Sequence, residues 1–263
     1  YLEIEVIGPN RDLHSGSYGG VVANPAEVLA KMIASAKDDQ GRILIPGFYD
    51  RVLPLSEEER AHIRAIPFDE KKFQQDLEVE SLVGEEGFSV LERLWARPTL
   101  EVNGIWGGYT SQGSKTVLPA KAGAKISARL VPNQKPEEIY DHIEEFFRCQ
   151  APRAVKVNMI RHHGGAPVVI DIEQPYIKAA ERALEEAFQS RVLYIREGGS
   201  IPIVQDFKDI LGVETLLIGF ALPDARAHSP NENIHIPTMW TGMESLVRLY
   251  YNLSQVQFHR RVS

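Results

Sequence analysis

The sequence predicts an α/β chain in two parts, and three observations predict it. The first 161 residues order their apolar patterns as β-α-β-β-α-β. Residues 162–263 alternate apolar runs with amphipathic helices, and a polar, helix-biased excursion over about residues 40–98 interrupts the first part. The first order is the split unit of ferredoxin-like α+β sandwiches. The alternation in the second part indicates a parallel sheet with helices on its faces, as in doubly wound α/β domains.

The elements follow in order. Leu2, Ile4 and Val6 alternate with Tyr1, Glu3 and Glu5, which is the pattern of a half-buried strand. Asn24-Pro25-Ala26-Glu27 then offers a helix N-cap, a proline at the first helical position and an acid three residues on, with Val28, Leu29, Met32 and Ile33 as the apolar face. Inside the excursion, Ser56-Glu57-Glu58-Glu59 has the form of a capping box, and Phe88 to Trp95 has helical spacing. A weaker alternation from Leu100 to Ile105 supplies the second strand. Ala124, Ile126, Ala128 and Leu130 alternate with Lys125, Ser127, Arg129 and Val131 in the third, which Pro132-Asn133 ends. A helix from about Pro136 to Phe147 and a strand from Ala154 to Ile160 close the unit.

Past Gly164-Gly165 the pattern predicts a helix from Tyr176 to Phe188, a strand from Val192 to Ile195, a helix from Ile201 to Leu211, a strand from Thr215 to Phe220 and a helix from Pro237 to Leu253. Two strands are too few for a stable parallel sheet, so a further segment is expected to supply the rest. The chain opens on Tyr1 in a strand pattern, with its first methionine at Met32, and is expected to begin inside a folded domain.

Composition bounds the function. The chain has 263 residues, 43% of them apolar and 25% charged, the balance of a globular protein of one large or two modest domains. With 29 basic and 36 acidic residues it carries a net charge of −7 and no basic stripe, which argues against a nucleic-acid partner. The longest nearly apolar run, Leu216 to Leu222, falls far short of the ~18 residues a membrane span needs. The lone cysteine, Cys149, cannot form an internal disulfide or build a thiolate metal site, and a reducing, cytoplasmic setting is expected.

Six positions are candidates for chemistry, each with a plainer alternative. Ser200, in Glu197-Gly198-Gly199-Ser200, stands as N-cap of a helix whose free N–H groups favour a carboxylate, or it simply caps a turn. His228, in Ala227-His228-Ser229-Pro230, sits in a bracketed loop that suits a metal ligand or a satisfied histidine. One histidine cannot hold a catalytic metal, since such sites take about three protein ligands. His14, in Asp12-Leu13-His14-Ser15-Gly16, could reach a developing oxyanion or bond local backbone. His163 lies at the boundary between the two parts, where clefts form, or is a hinge residue. Arg129 could clamp a carboxylate or pair with a neighbouring acid, and Thr116 in Thr116-Val117-Leu118-Pro119 is the least distinctive.

Taken in order, these loops, together with Ser127-Ala128-Arg129-Leu130-Val131-Pro132 and His163-Gly164-Gly165, resemble the dinuclear metallopeptidases, a family that includes cytosolic non-specific dipeptidase, carnosine dipeptidases, aminoacylase and bacterial glutamate carboxypeptidase. The resemblance covers essentially the whole chain and is strongest to the dipeptidase branch. It implies a lid and dimerisation domain over residues 1–161 and the C-terminal part of a catalytic domain over residues 162–263. His228 would bind one of two divalent ions, zinc or manganese. His14 and Thr116 would cross to the partner subunit's site, His14 to stabilise the tetrahedral oxyanion. Arg129, His163 and Ser200 would hold the substrate's terminal carboxylate or nearby backbone. The reaction implied is hydrolysis of a terminal amide, in a peptide or N-acyl amino acid, by a water activated between two metals. The family's remaining metal ligands and its catalytic glutamate belong to an N-terminal segment that this chain lacks, so the chain alone is expected to be inactive. The other expectations are a lid module without catalysis and a deacylase of N-acyl amino acids.

Overall fold

The computed structural model describes residues 1–197, 201, 203–222, 224–227 and 229–256. The chain separates into two compact units, one of Tyr1–Val168 with Ile195–Gln205, the other of Val169–Tyr194 with Asp206–Ser263. The first unit holds β1 (Leu2–Ile7), β2 (Leu13–His14), α1 (Ser15–Tyr18), α2 (Pro25–Ala34), α3 (Glu57–Arg64), α4 (Glu70–Asp76) and α5 (Val90–Ala96). It continues with β3 (Thr99–Gly107), β4 (Val117–Leu118), β5 (Lys121–Arg129), α6 (Pro136–Gln150) and β6 (Lys156–Arg161). Then come α7 (Pro175–Phe188), α8 (Ile203–Leu211) and α9 (Ile236–Ser254).

Four strands form one sheet in the order β3-β5-β1-β6, and every neighbouring pair is antiparallel. With α2 after β1 and α6 after β5, this is the ferredoxin-like order that the sequence predicts. Leu2, Ile4 and Val6 of β1 and Ala122, Ala124 and Ile126 of β5 point to one face, where Leu29 and Met32 of α2 and Ile139, Ile143 and Phe147 of α6 bury them. The alanines of β5 let α2 approach this central strand closely. Burying one such side chain as large as Phe147 contributes about 1.5–3 kcal/mol. The cap of α2 forms as expected, Asn24 Oδ1 accepting the Ala26 N–H at 3.0 Å. On the other face of the sheet Trp106 lies over Gly123, where a Cβ would fall 2.3 Å from the indole ring. Glycine is required there by close approach. The strand predicted from Ala154 begins at Lys156, because the Val155 N–H is taken in a turn by the Pro152 carbonyl.

The excursion is folded, and it is held differently from the sheet. Ser56 and Glu59 close a capping box on α3, and Ser89 and Glu92 close another on α5. Arg97 forks onto the buried Glu85 with two bonds of 2.7 Å, and Arg60 reaches the buried Glu92 at 3.0 Å. The guanidinium of Arg97 lies 4.4 Å from the centre of the Phe88 ring and 5.1 Å from that of Tyr49, which also carries Arg42 at 5.0 Å. The early part of the predicted excursion does not stand apart: Ile43, Ile45 and Phe48 belong to the core of the sheet unit. Buried Gln134 secures the junction, accepting from the Val131 N–H and donating to the Phe48 carbonyl, each at 2.8 Å. Beside it Asn133 turns the chain at φ +72°, a left-handed conformation that asparagine tolerates.

In the second unit α7 and α9 pack together over a small core of Ala180, Ala183 and Leu249, with Leu216, Ile218 and Leu253 against it. Asn252 pins α9 by donating to the Ala179 carbonyl at 3.1 Å. Trp240, Val247, Tyr250 and Tyr251 of α9 stay exposed. Neither Val192 to Ile195 nor Thr215 to Phe220 forms a strand, against the sequence reading. The apolar pattern is present, but a strand exists only by its ladder, and these segments have no ladder partner among the described residues. The Val192 N–H goes instead to the Glu185 carboxylate at 3.1 Å.

Candidate functional site

Four of the six candidate residues gather at the two ends of the four-stranded sheet. At the end where β1 finishes, β2 and β4 form a two-residue antiparallel ribbon with Leu13 opposite Leu118 and His14 opposite Val117. The Ser15 N–H donates to the Thr116 carbonyl at 3.0 Å and extends this ribbon by one bond. His14 is the N-cap of α1, and its Nδ1 accepts the Gly16 N–H at 3.1 Å. A nitrogen that accepts carries no hydrogen, so the neutral ring bears its hydrogen on Nε2. That nitrogen faces Thr116 Oγ1 at 3.2 Å. Two side chains 102 residues apart are thus joined, both exposed, with the imidazole Nε2–H directed at the threonine hydroxyl. This is the kind of donor that stabilises charge developing on a carbonyl oxygen.

The opposite end holds Arg129 and His163. Arg129 ends β5 opposite Thr99 of β3, and among the described residues it makes no ion pair. Its charge acts on the backbone nitrogen of Tyr1. The Tyr1 ring stacks on His163 at 5.6 Å with 4° between the planes, and the Tyr1 nitrogen donates to the His163 carbonyl at 2.9 Å. His162 beside it faces Glu3 at 3.6 Å. Arg129 and His163 therefore flank the same residue, with an unpaired guanidinium able to take a carboxylate through two parallel bonds. The six residues of β1 separate this end from the His14 ribbon by about 20 Å at ~3.3 Å per residue.

Ser200 and His228 lie outside the described residues. Among the described residues no three His, Cys, Asp or Glu side chains gather as a metal ion requires. The described residues do not by themselves form a metal centre. No helix is long and apolar enough to cross a membrane among the described residues. Sequence alone singles out His14 and Thr116 separately and does not single out Asp12 or Gly16. The spacing within Asp12-Leu13-His14-Ser15-Gly16 was the signal available for the last two.

Residues 1–155 match the family described as the peptidase dimerisation domain of the M20 group. The chain is similar to the Cys-Gly metallodipeptidase DUG1 of Candida albicans, at 34% identity over 94% of this chain and 51% of that protein. It is also similar to the human Beta-Ala-His dipeptidase, at 31% identity over 97% of this chain and 51% of that protein. Among solved structures, the M20 family metallo-carboxypeptidase Sso-CP2 of Sulfolobus solfataricus superposes with a TM-score of 0.84 at 31% identity, over 96% of this chain and 58% of that one. The chain spans about half the length of the relatives it matches. On the sheet order, the paired loops at its ends and these likenesses, the chain belongs to the M20 peptidase family, with residues 1–155 as its dimerisation domain.

Proposed function

We propose that the chain is part of a metal-dependent dipeptidase that hydrolyses a terminal amide bond and works as a homodimer. In this reading residues 1–161 are the lid, residues 162–263 contribute to the catalytic domain, and two divalent ions, zinc or manganese, complete the centre with ligands that include His228. The cell compartment proposed is the cytoplasm. The chain by itself is proposed to be inactive.

One observation carries the reading: the His14–Thr116 pair and the Arg129–His163 group sit at opposite ends of one sheet. An extended dipeptide spans about 7 Å at ~3.5 Å per residue, far less than the ~20 Å between the groups. A single lid therefore serves two centres. His14 and Thr116 reach the site of the partner subunit, where the His14 Nε2–H is shared between Thr116 Oγ1 and the carbonyl oxygen as that oxygen gains charge. Arg129, His163 and Ser200 hold the substrate's free carboxylate in their own subunit's site.

Subunit mixing tests this in the complete, metal-loaded protein. His14→Ala and Arg129→Ala homodimers are each expected to fail on a dipeptide. If His14 acts across the dimer, a mixture has one intact site in every mixed dimer and recovers about a quarter of wild-type turnover, since random pairing makes about half the dimers mixed. No recovery in verified mixed dimers refutes the crossing role. Arg129 fits a second reading equally, a deacylase of N-acyl amino acids, since both substrate classes present a free carboxylate. Comparing specificity constants on dipeptides and N-acyl amino acids decides between them.

A further inference from the structure

We infer that Asp12 and Gly16 are positioning residues for His14, an inference that deepens the proposed role of His14 and rests on it. The ribbon that carries His14 is only two residues long on each strand, and a two-stranded ribbon is marginal in water. Something must fix it to the sheet. One residue does so with both of its backbone groups: the Gly8 N–H donates to the Ala120 carbonyl at 2.9 Å, and the Ala120 N–H donates to Asp12 Oδ1 at 2.8 Å. Gly8 follows directly on β1 and Ala120 directly precedes β5, so Asp12 anchors the start of the ribbon to the rigid sheet through a charge-assisted bond.

Gly16 acts at the other end, on the ring itself. Its N–H fixes Nδ1 as the acceptor, and its missing side chain leaves the ring its seat. A Cβ at position 16 would lie 2.9 Å from His14 Cε1 and 3.2 Å from Nδ1, so any larger residue must push the imidazole away. Asp12 sets where the backbone of His14 stands, and Gly16 sets which way its ring faces and which nitrogen holds the hydrogen. Neither touches substrate. Misplacing a reacting group by about 1 Å can cost on the order of 100-fold in rate, so both residues should be felt in turnover.

The test reads His14 directly. In this chain, nitrogen NMR of the imidazole is expected to give the Nε2–H form for wild type and for Asp12→Asn, whose amide oxygen still accepts the Ala120 N–H. Asp12→Ala and Gly16→Ala are expected to give a mixture of the two ring forms, with the backbone signals of β1 and β5 unmoved. In the complete, metal-loaded protein the same two variants should lose about 10-fold to 100-fold in kcat with KM nearly constant, while Asp12→Asn keeps wild-type turnover. An unchanged His14 spectrum in both alanine variants overturns the inference, and so does an Asp12→Asn variant as impaired as Asp12→Ala. If His14→Ala itself turns over normally, the proposed catalytic role falls, while the spectra still decide whether Asp12 and Gly16 position the ring.

Discussion

The two ends of the lid sheet are built in different ways. At the His14 end, backbone N–H groups and the Asp12 carboxylate specify ring and rotamer before any ligand arrives. At the other end, Arg129 is exposed and unpaired among the described residues, and His163 rests on a stacked aromatic ring. The difference teaches which contacts are preset and which form on binding. A donor for transient charge must be in place beforehand, because reorganisation during the reaction would add to the barrier. A carboxylate clamp can close on its ligand, since binding supplies the energy to order it.

The comparison breaks most completely if its common support is removed. Phe147 is fully buried beneath the sheet, so Phe147→Ala should destabilise the lid by about 3–5 kcal/mol in a denaturant titration and disable both ends together. A variant within about 1 kcal/mol of wild type would mean that the core closes around the loss. Next, His14→Ala should cut turnover of the complete protein by about 100-fold or more, the range for one lost oxyanion donor, with little change in affinity for a substrate-like inhibitor. Arg129→Leu should act the other way round. Its kcat/KM on dipeptides should fall by about 10-fold to 100-fold, the worth of a charged bidentate pair, and amidated dipeptides should show no such loss. Equal losses on both substrates would assign Arg129 to folding. The smallest effect is expected from Tyr1→Ala, which removes the stack under His163, worth about 0.5–1.5 kcal/mol, and should raise KM a few-fold without touching kcat.

A pH experiment separates the second unit from this comparison. The Tyr194 phenol is pushed up to about 12, first by burial and then by the Glu181 carboxylate beside it. Its folded pKa is raised, so its stabilising share is complete below the ordinary tyrosine value near 10 and is lost as pH rises towards about 12. Tyr194→Phe should flatten the alkaline part of a stability profile in that window. An unchanged profile would show that the phenol titrates normally.

The lid was legible because each of its main elements is written locally. Leu2, Ile4 and Val6 show a period of two, Asn24-Pro25 marks a helix start, and Pro132-Asn133 marks a strand end. The ribbon of β2 and β4 was not legible, since two residues are too few for any period to register. Nor was the pairing of His14 with Thr116, which depends on a fold that brings residues 102 positions apart together. The pattern over Val192 to Ile195 and Thr215 to Phe220 is apolar as the sequence predicts, but neither segment is a strand. Periodicity reports the face a residue shows, and a strand also needs a neighbour to bond. Asp12 and Gly16 stood in plain sight within a motif, but their work is geometric and becomes visible only with the distances.

Phe48 and Tyr49 are adjacent, with ring centroids 5.8 Å apart, and mark a seam between two kinds of cohesion. Phe48 lies within the hydrocarbon core, and Tyr49, packed against that core, also carries the guanidinium groups of Arg42 and Arg97, the latter forked onto Glu85. These respond differently to warming, because the solvation penalty on ions shrinks with temperature while apolar burial levels off. The polar contacts of the excursion therefore follow a thermal schedule different from that of the sheet.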